Sequence, residues 1–252
     1  MSDPHAIRFR HVTKYFVTEN VLGHGLKNVL LHLPRHVKRV MSARQVKVLD
    51  DVSFDIAPGE SVALIGKNGS GKSTTMGLIA GVLAPNAGSI EIKGHLCPLL
   101  ELGAGFRTEL SGAENIFLNG VLLGMTRRQV RGKFDEISEF SGLKDILDRP
   151  LRTYSTGMVA RLGFAVAVHL DPEILLVDEI LSVGDIGFAE RCRDKMTSFR
   201  KKGVTIVLVS HSVEAVRSLC DRAIWLQDNR VCADGDPTRL CQEYEAAMTA
   251  PV

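Results

Sequence analysis

Hydrophobic and polar residues alternate over Ile7-Arg8-Phe9-Arg10, the period-two signature of a strand, and both Arg8–Tyr15 and Val48–Ile56 read as strand. In the second of these, Val52, Phe54 and Ile56 alternate with polar residues and lead into the turn Pro58-Gly59-Glu60. The pattern then changes. Val62-Ala63-Leu64-Ile65, Ile174-Leu175-Leu176-Val177, Thr205-Ile206-Val207-Leu208-Val209 and Ala223-Ile224-Trp225-Leu226 are short, unbroken apolar runs. Between them the apolar residues fall at helical spacing over Thr74–Leu83, Ala113–Leu123, Arg127–Gly142, Thr156–Leu170 and Phe188–Lys202. Strands without a polar face, separated by helices, predict an α/β fold with a largely parallel sheet covered on both sides. Asn86-Ala87-Gly88 reads as a turn before the strand Ser89–Lys93, and Asp228-Asn229-Arg230 as a hairpin turn between Leu226 and Val231. No internal repeat interrupts this order, so residues 1–252 read as one domain.

One segment has another character. In residues 18–47, Leu26, Val29, Leu30, Leu33, Val37 and Val40 place an apolar stripe on a helix that Pro34 splits or kinks. Lys27, Arg35, Lys38, Arg39, Arg44 and Lys47 are basic, with no acid between Asn20 and Leu49. A basic amphipathic insertion suits an anionic membrane surface or a partner; a solvated surface excursion fits the same pattern.

Composition narrows the classes. The net charge of +2 argues neither for nor against a nucleic-acid partner. No apolar run approaches the ~18 residues of a membrane span, and Met1-Ser2-Asp3-Pro4-His5 lacks a signal-peptide core, so a cytosolic chain is expected. Cys97, Cys192, Cys220, Cys232 and Cys241 are odd in number and form no C-x-x-C pair, which reads as reduced thiols.

The candidate chemistry starts at Gly66-Lys67-Asn68-Gly69-Ser70-Gly71-Lys72-Ser73, with Thr74 continuing into a helix. Strand, glycine loop, helix is the arrangement that turns backbone N–H groups inward on an anion and adds the positive end of a helix dipole. Lys72 would reach the β- and γ-phosphates of a nucleotide, and the Ser73 hydroxyl would take a position on Mg²⁺. Asp178 and Glu179 leave the carboxyl end of an apolar strand, the edge of a parallel sheet where ligands bind. There Asp178 can hold Mg²⁺ through water, and Glu179 can orient a water for attack on the γ-phosphate. His211 leaves another such strand and can reach the same phosphate. Ser155 and Gly157 at a helix start form a second anion nest or an N-cap; both can hold at once. An aromatic in Lys14-Tyr15-Phe16 stacks on a purine or fills the core.

In this order, Gly66–Ser73, Tyr154-Ser155-Thr156-Gly157-Met158, Leu175-Leu176-Val177-Asp178-Glu179, Ser182-Val183-Gly184-Asp185 and His211 resemble the ATP-binding subunit of an ABC transporter over nearly the whole chain. The run Val159–Ala165, the stretches Leu99–Phe106 and Leu110–Ile116, and the basic insertion narrow the resemblance. They are similar to the ATPases that export capsular polysaccharide, O-antigen or teichoic acid across bacterial inner membranes.

The resemblance implies a P-loop NTPase of the ABC ATPase kind: a largely parallel core sheet, an antiparallel β part, and a helical subdomain at about 98–170. It implies ATP and Mg²⁺ as ligands and a homodimer sandwiching two nucleotides. Gly66–Ser73 of one copy would face Ser155, Thr156, Gly157 and Met158 of the other. Glu179 would polarise water, His211 would sense the γ-phosphate and Asp185 would link the two sites. Phe16 best matches the adenine-stacking aromatic, with Tyr15 as fallback. The implied partners are a second copy and a polytopic membrane permease, with lipid-linked polysaccharide met indirectly and no nucleic acid. The implied location is the cytoplasmic face of the inner membrane.

Two departures stand out. The Gln that most members carry at the entry to the helical region, contacting Mg²⁺, has no counterpart between Lys93 and Leu118, which leaves Glu101 as the nearest polar candidate. The chain also stops at Val252, soon after Trp225–Asp236, so the extra carbohydrate-binding domain of some O-antigen exporters is not expected.

Overall fold

The computed structural model describes residues 5–18, 44–99, 103–178, 185–210 and 212–249. The alternating N-terminal pattern folds as β1 (Ile7–Thr18) and β2 (Arg44–Ile56), which pair antiparallel; β4 (Ala87–Ile92) joins the other edge of β1. The unbroken apolar runs become β3 (Ser61–Ile65), β6 (Ile174–Asp178), β7 (Thr205–Val209) and β8 (Arg222–Gln227). With β5 (Leu96–Leu99) and β9 (Arg230–Gly235) they form a second sheet in the order β5-β6-β7-β3-β8-β9. Every pair in it is parallel except β8 with β9.

The unbroken hydrophobicity of the central strands has a direct cause: each strand serves two cores. Val62, Leu64, Ile174, Leu176, Val207, Val209, Ile224 and Leu226 point to one face. There they meet Ile7, Phe9, Phe54 and Ile56 of the antiparallel sheet and Met76 and Ile79 of α1 (Lys72–Ile79). Ala63, Ile65, Leu175, Val177, Ile206, Leu208, Ala223 and Trp225 point to the other face. That face is covered by α2 (Gly112–Leu122), α3 (Arg127–Ser141), α4 (Thr156–Ala167), α5 (Ile186–Lys201), α6 (Val213–Leu219) and α7 (Pro237–Thr249). Arg222 ties the layers at one end: its guanidinium holds Asp234 of β9, Glu60, and the carbonyl of Asp55 in β2.

Several boundaries differ from the sequence expectation. The α1 pattern runs to Leu83, but the helix ends at Ile79. Gly81 takes a left-handed φ of 71°, and the Val82 and Leu83 N–H groups return to the Gly77 carbonyl at 3.0 Å, satisfying an acceptor the helix end leaves open. Helix α4 likewise ends at Ala167 rather than Leu170. Strand β5 was not anticipated because Pro98 sits inside it; proline is tolerated there because β5 is an edge strand bonded to β6 alone. Helices α6 and α7 were not anticipated either, although Asp236 before Pro237 is a cap-and-first-position signal and the Asp236 carboxylate accepts from the Arg239 N–H at 2.8 Å. The hairpin turn is tighter than expected: Asp228 and Asn229 form its two-residue loop with φ of 49° and 67°, and Arg230 already belongs to β9. Thr18 and Arg44–Lys47 continue the β1–β2 pair, with Phe16 opposite Val46, so this part of the 18–47 insertion is strand. Residues 19–43 lie outside the described residues.

Cys97, Cys192, Cys220 and Cys241 are buried free thiols and Cys232 is an exposed one. Burial pushes the Cys97, Cys192 and Cys220 thiols up to about 12. They are packing groups, in keeping with the reduced thiols expected.

Candidate functional site

The glycine loop leaves β3 at Ile65 and enters α1 at Lys72, at the carboxyl edge of the parallel sheet. Two glycines are required by contact as well as by backbone angle. A Cβ at Gly66 would sit 2.2 Å from the Leu226 carbonyl oxygen; one at Gly71 would lie 2.6 Å from Leu49 Cδ2 and 2.9 Å from the Val48 carbonyl oxygen. The loop is thus wedged between the end of β8 and the flank of β2. Further along, Asp50 N–H donates to the Asn229 carbonyl at 2.7 Å and Arg230 holds the Asp50 carboxylate, docking β2 on the β8–β9 turn.

The buried Lys72 ammonium donates to the carbonyls of Gly66 at 2.6 Å and Lys67 at 2.9 Å, closing the loop into a ring. The N-cap of α1 is Gly71 in the left-handed region, and no side chain caps the first turn. Ser73 is exposed and Thr74 half-buried at that helix start, while Ser70 is buried. This is a glycine loop folded around a buried cation, followed by a helix N-terminus without a side-chain cap, a fit for a polyphosphate.

Asp178 ends β6, opposite Val209 of β7, whose other neighbour is β3. At the usual strand spacing this puts Asp178 about 10 Å across the same edge from the glycine loop. Exposed Ser73 and half-buried Asp178 supply hydroxyl and carboxylate oxygens, the donor chemistry Mg²⁺ prefers alongside phosphate oxygens. Glu179, His211 and Glu101 lie outside the described residues. Strand β7 nevertheless delivers Ser210 to this edge, so His211 follows a strand end next to β3.

The remaining predicted residues lie on β1, at the start of α4 and at the start of α5. Phe16 is 41% exposed on β1, with the Lys14 ammonium 5.2 Å from its ring centroid; Tyr15 is half-buried and its N–H donates to Asn86 Oδ1. Ser155 is the N-cap of α4: its hydroxyl accepts from the Met158 N–H at 3.2 Å, while Ser155 and Thr156 stay exposed and Gly157 and Met158 are half-buried. Of the alternatives open for this segment, the cap is realised. Asp185 caps α5, taking the Phe188 N–H at 2.9 Å on Oδ1 and Arg161 Nη1 at 3.1 Å on Oδ2.

Two kinds of residue escaped the sequence reading. Arg161, one residue of the run Val159–Ala165, joins α4 to Asp185. Asn115 and Asn119 are buried one turn apart on α2. The Asn115 amide donates to the Arg107, Leu110 and Ser111 carbonyls and that of Asn119 to Ala104, pinning the loop before α2. Two amides at i and i+4 on an otherwise apolar face are the signal that could have found them.

Known proteins resemble this chain in sequence and in fold. The sequence pattern of the family described as ABC transporter matches residues 49–182. The chain is 44% identical to the O-antigen export system ATP-binding protein RfbB of Klebsiella pneumoniae over 242 residues, 96% of this chain and 98% of that protein. It is 39% identical to the teichoic acids export ATP-binding protein TagH of Bacillus anthracis over 95% of this chain and 42% of the relative. Among solved structures, the ATP-binding subunit of an ABC transporter matches with a TM-score of 0.73 at 23% identity, covering 95% of this chain and 93% of the other. A dimeric ATP-binding cassette in a post-hydrolysis state with ADP and Pi matches with a TM-score of 0.71 at 20% identity, covering 92% and 98%.

Proposed function

The chain belongs to the ABC transporter family, and from that premise we propose that it is the ATP-hydrolysing subunit of an exporter of lipid-linked polysaccharide in a bacterial inner membrane. The observation that carries the substrate class is the end-to-end match at 44% identity to an O-antigen export ATP-binding protein. The glycine cradle closed by Lys72 carries the ATPase reading.

ATP is the substrate. The backbone of Gly66, Lys67, Asn68, Gly69, Ser70 and Gly71 wraps its phosphates. Lys72 neutralises the outer two, and the first-turn N–H groups at Ser73 and Thr74 face them. Ser73 and Asp178 would hold Mg²⁺, with Glu101 as a further candidate; the ion would supply neutralisation of the phosphate charge. Glu179 orients the attacking water and His211 contacts the γ-phosphate. Phe16, or failing it Tyr15, stacks on adenine. A second copy offers Ser155, Thr156, Gly157 and Met158 to the open side of the triphosphate, and Asp185 connects the two sites.

Among the described residues no helix is long and apolar enough to cross a membrane. We therefore assign the translocation path to a separate polytopic subunit, with this chain docked on its cytoplasmic side. The basic segment within residues 18–47 is the candidate element for contacting that subunit or the anionic lipid-linked polymer.

The test is paired. The purified wild-type chain should hydrolyse ATP and the Glu179→Gln chain should bind ATP, form a dimer and fail to turn over. In cells lacking the gene, wild type should restore polysaccharide to the surface and Glu179→Gln should not. Surface polysaccharide that is unchanged by loss of the gene would overturn the export assignment. Hydrolysis by Glu179→Gln within about twofold of wild type, a trivial change in barrier, would overturn the catalytic one.

A further inference from the structure

A second cleft opens at the far end of the sheet from the glycine loop. Its walls come from His95 just before β5, from the turn at Gly124 and Met125 between α2 and α3, from Gln129 and Lys133 of α3, and from the Leu170–Asp171 stretch ahead of β6. Strands β5 and β6 are parallel and the cleft stands at their amino ends, whereas the glycine loop follows the carboxyl end of β3. One strand length, roughly 15 Å, separates the two edges. The cleft holds about 270 Å³, just under the usual range for drug-sized ligands, so its occupant is a small molecule.

The polar groups here have bonding capacity to spare. Gln129 Oε1 accepts from the Thr126 N–H and hydroxyl, both at 2.8 Å; this orients the amide in the capping box of α3 and leaves its NH₂ without a partner among the described residues. The Lys133 ammonium donates to the His169 carbonyl at 2.7 Å and to Asp171 Oδ2, using two of its three N–H bonds. The His95 backbone N–H is taken by Glu173, but its ring, with Nε2 only 3.8 Å from where a Gly124 Cβ would stand, has no partner among the described residues. Buried Met125 and Leu170 supply an apolar wall. The hydrogen bond from Lys133, with Lys202 and Lys195 behind it, holds the Asp171 carboxyl below the usual carboxylate range, and Glu136 is a further acid acting on Lys195. Three ammonium groups against two carboxylates favour an anion and disfavour a ligand ammonium, which leaves Asp171 Oδ1 to neutral O–H donors. Gly132 adds a last observation. It stands on the exposed side of α3 between Gln129 and Lys133, and a Cβ there would meet nothing within 4 Å. Glycine weakens a helix interior and no contact requires it here; its effect is to leave the approach to Gln129 and Lys133 uncovered.

We propose that this cleft binds a small hydroxylated anion, a sugar phosphate or a uronate, with the anionic group on Lys133 and the Gln129 amide and the hydroxyls on Asp171 and His95. The site goes beyond the ATPase reading and needs neither nucleotide nor a second copy.

The experiment is calorimetric titration of the purified chain with glucose-1-phosphate, glucuronate, glucose, inorganic phosphate and glutamate. At least one of the first two should bind with a Kd below about 1 mM, and the last three at least about tenfold more weakly. Binding of glucose-1-phosphate alone identifies a phosphate ester, and of glucuronate alone a uronate. Gln129→Glu keeps the capping acceptor but removes both amide donors and adds negative charge; Gly132→Glu adds negative charge at the mouth on a better helix former. Each should weaken binding about tenfold or more, with a melting temperature no more than about 2 °C lower, while Gly132→Lys binds at least as tightly as wild type. Should Gln129→Glu melt lower than that, the two Gly132 variants, alike in fold and opposite in charge, decide. Saturating ATP should leave the sugar affinity within about twofold. Binding of neither anionic sugar, equal binding of glucose, phosphate or glutamate, or wild-type affinity in Gly132→Glu overturns the proposal. Displacement by ATP would put the sugar in the glycine loop and overturns it as well.

Discussion

Two helix starts in this molecule face opposite tasks with nearly the same ingredients. Serine and glycine stand at the start of both α1 and α4. At α1 the N-cap is Gly71, no side chain closes the first turn, and the loop before it is held in a ring by the Lys72 ammonium. At α4 the N-cap is Ser155, whose hydroxyl takes the Met158 N–H. A helix of four free N–H groups that receives no cap is an anion site in waiting; one that is capped has satisfied part of that need locally. The comparison teaches that the α1 start leaves its N–H groups open to an anion, whereas the Ser155 turn meets part of that need within its own chain.

The largest expected break in that contrast comes from Lys72→Ala. It removes charge-assisted contacts worth ~2–4 kcal/mol, so ATP affinity by fluorescence titration should fall roughly 30- to 1000-fold. Affinity within a factor of about three would end the assignment of the loop. Next is Gly66→Ala. Its Cβ would collide with the Leu226 carbonyl, a backbone atom that cannot rotate away. A loss of about 1–3 kcal/mol, seen as a melting point several degrees lower, should accompany lost nucleotide binding. A fully stable Gly66→Ala chain would mean that the loop is not wedged against β8.

Ser155→Ala should act on the other helix alone. Loss of the cap lowers stability by about 1 kcal/mol, a shift of roughly 2–4 °C, while ATP affinity of the isolated chain stays within about twofold. A large loss of affinity in the monomer would place Ser155 in its own chain's site and erase the distinction.

The smallest effect is one of pH. His169, just beyond the end of α4, is buried, and that burial holds its imidazole below the usual value of about 6.5; its Nδ1 lies 2.6 Å from the Ala165 carbonyl. A folded pKa below the unfolded one means that the unfolded chain takes the proton first. The stabilising contribution is complete above about pH 6.5 and is lost as pH falls toward the folded value, by less than about 1.4 kcal/mol per pH unit. Hydrogen exchange between pH 7.5 and 5.5, corrected for intrinsic rates, should show the end of α4 opening while the β3 amides hold. Equal loosening of both would locate the acid-sensitive group elsewhere.

Much of the architecture was legible because burial leaves a local mark. Val62–Ile65 is apolar at every position since its two faces feed two cores, and Asp228-Asn229 is a turn because both residues tolerate positive φ. The glycine loop was legible for the same reason: contact at Gly66 and Gly71 permits no side chain. Strand β5 was not, because Pro98 carries the mark of a non-strand and only its place at the sheet edge excuses it. The span of α1 was overestimated because Leu83 keeps helical spacing while packing back on Gly77.

By itself the sequence determined the order of the buried central strands and the main helices between them, the glycine loop, and the residues offered at strand ends, since each depends on what a short stretch buries or must leave open. Tertiary structure alone decided which ends share an edge and who holds whom. Asp178 lies near the loop only because β7 inserts between β6 and β3, although 140 positions of sequence separate β7 from the end of β3. Arg161 finds Asp185, Ser141 and Phe188 only because α3, α4 and α5 converge there. A long side chain's partners are set by the packing of whole elements, and no local pattern of hydrophobic and polar residues encodes where that packing will bring it.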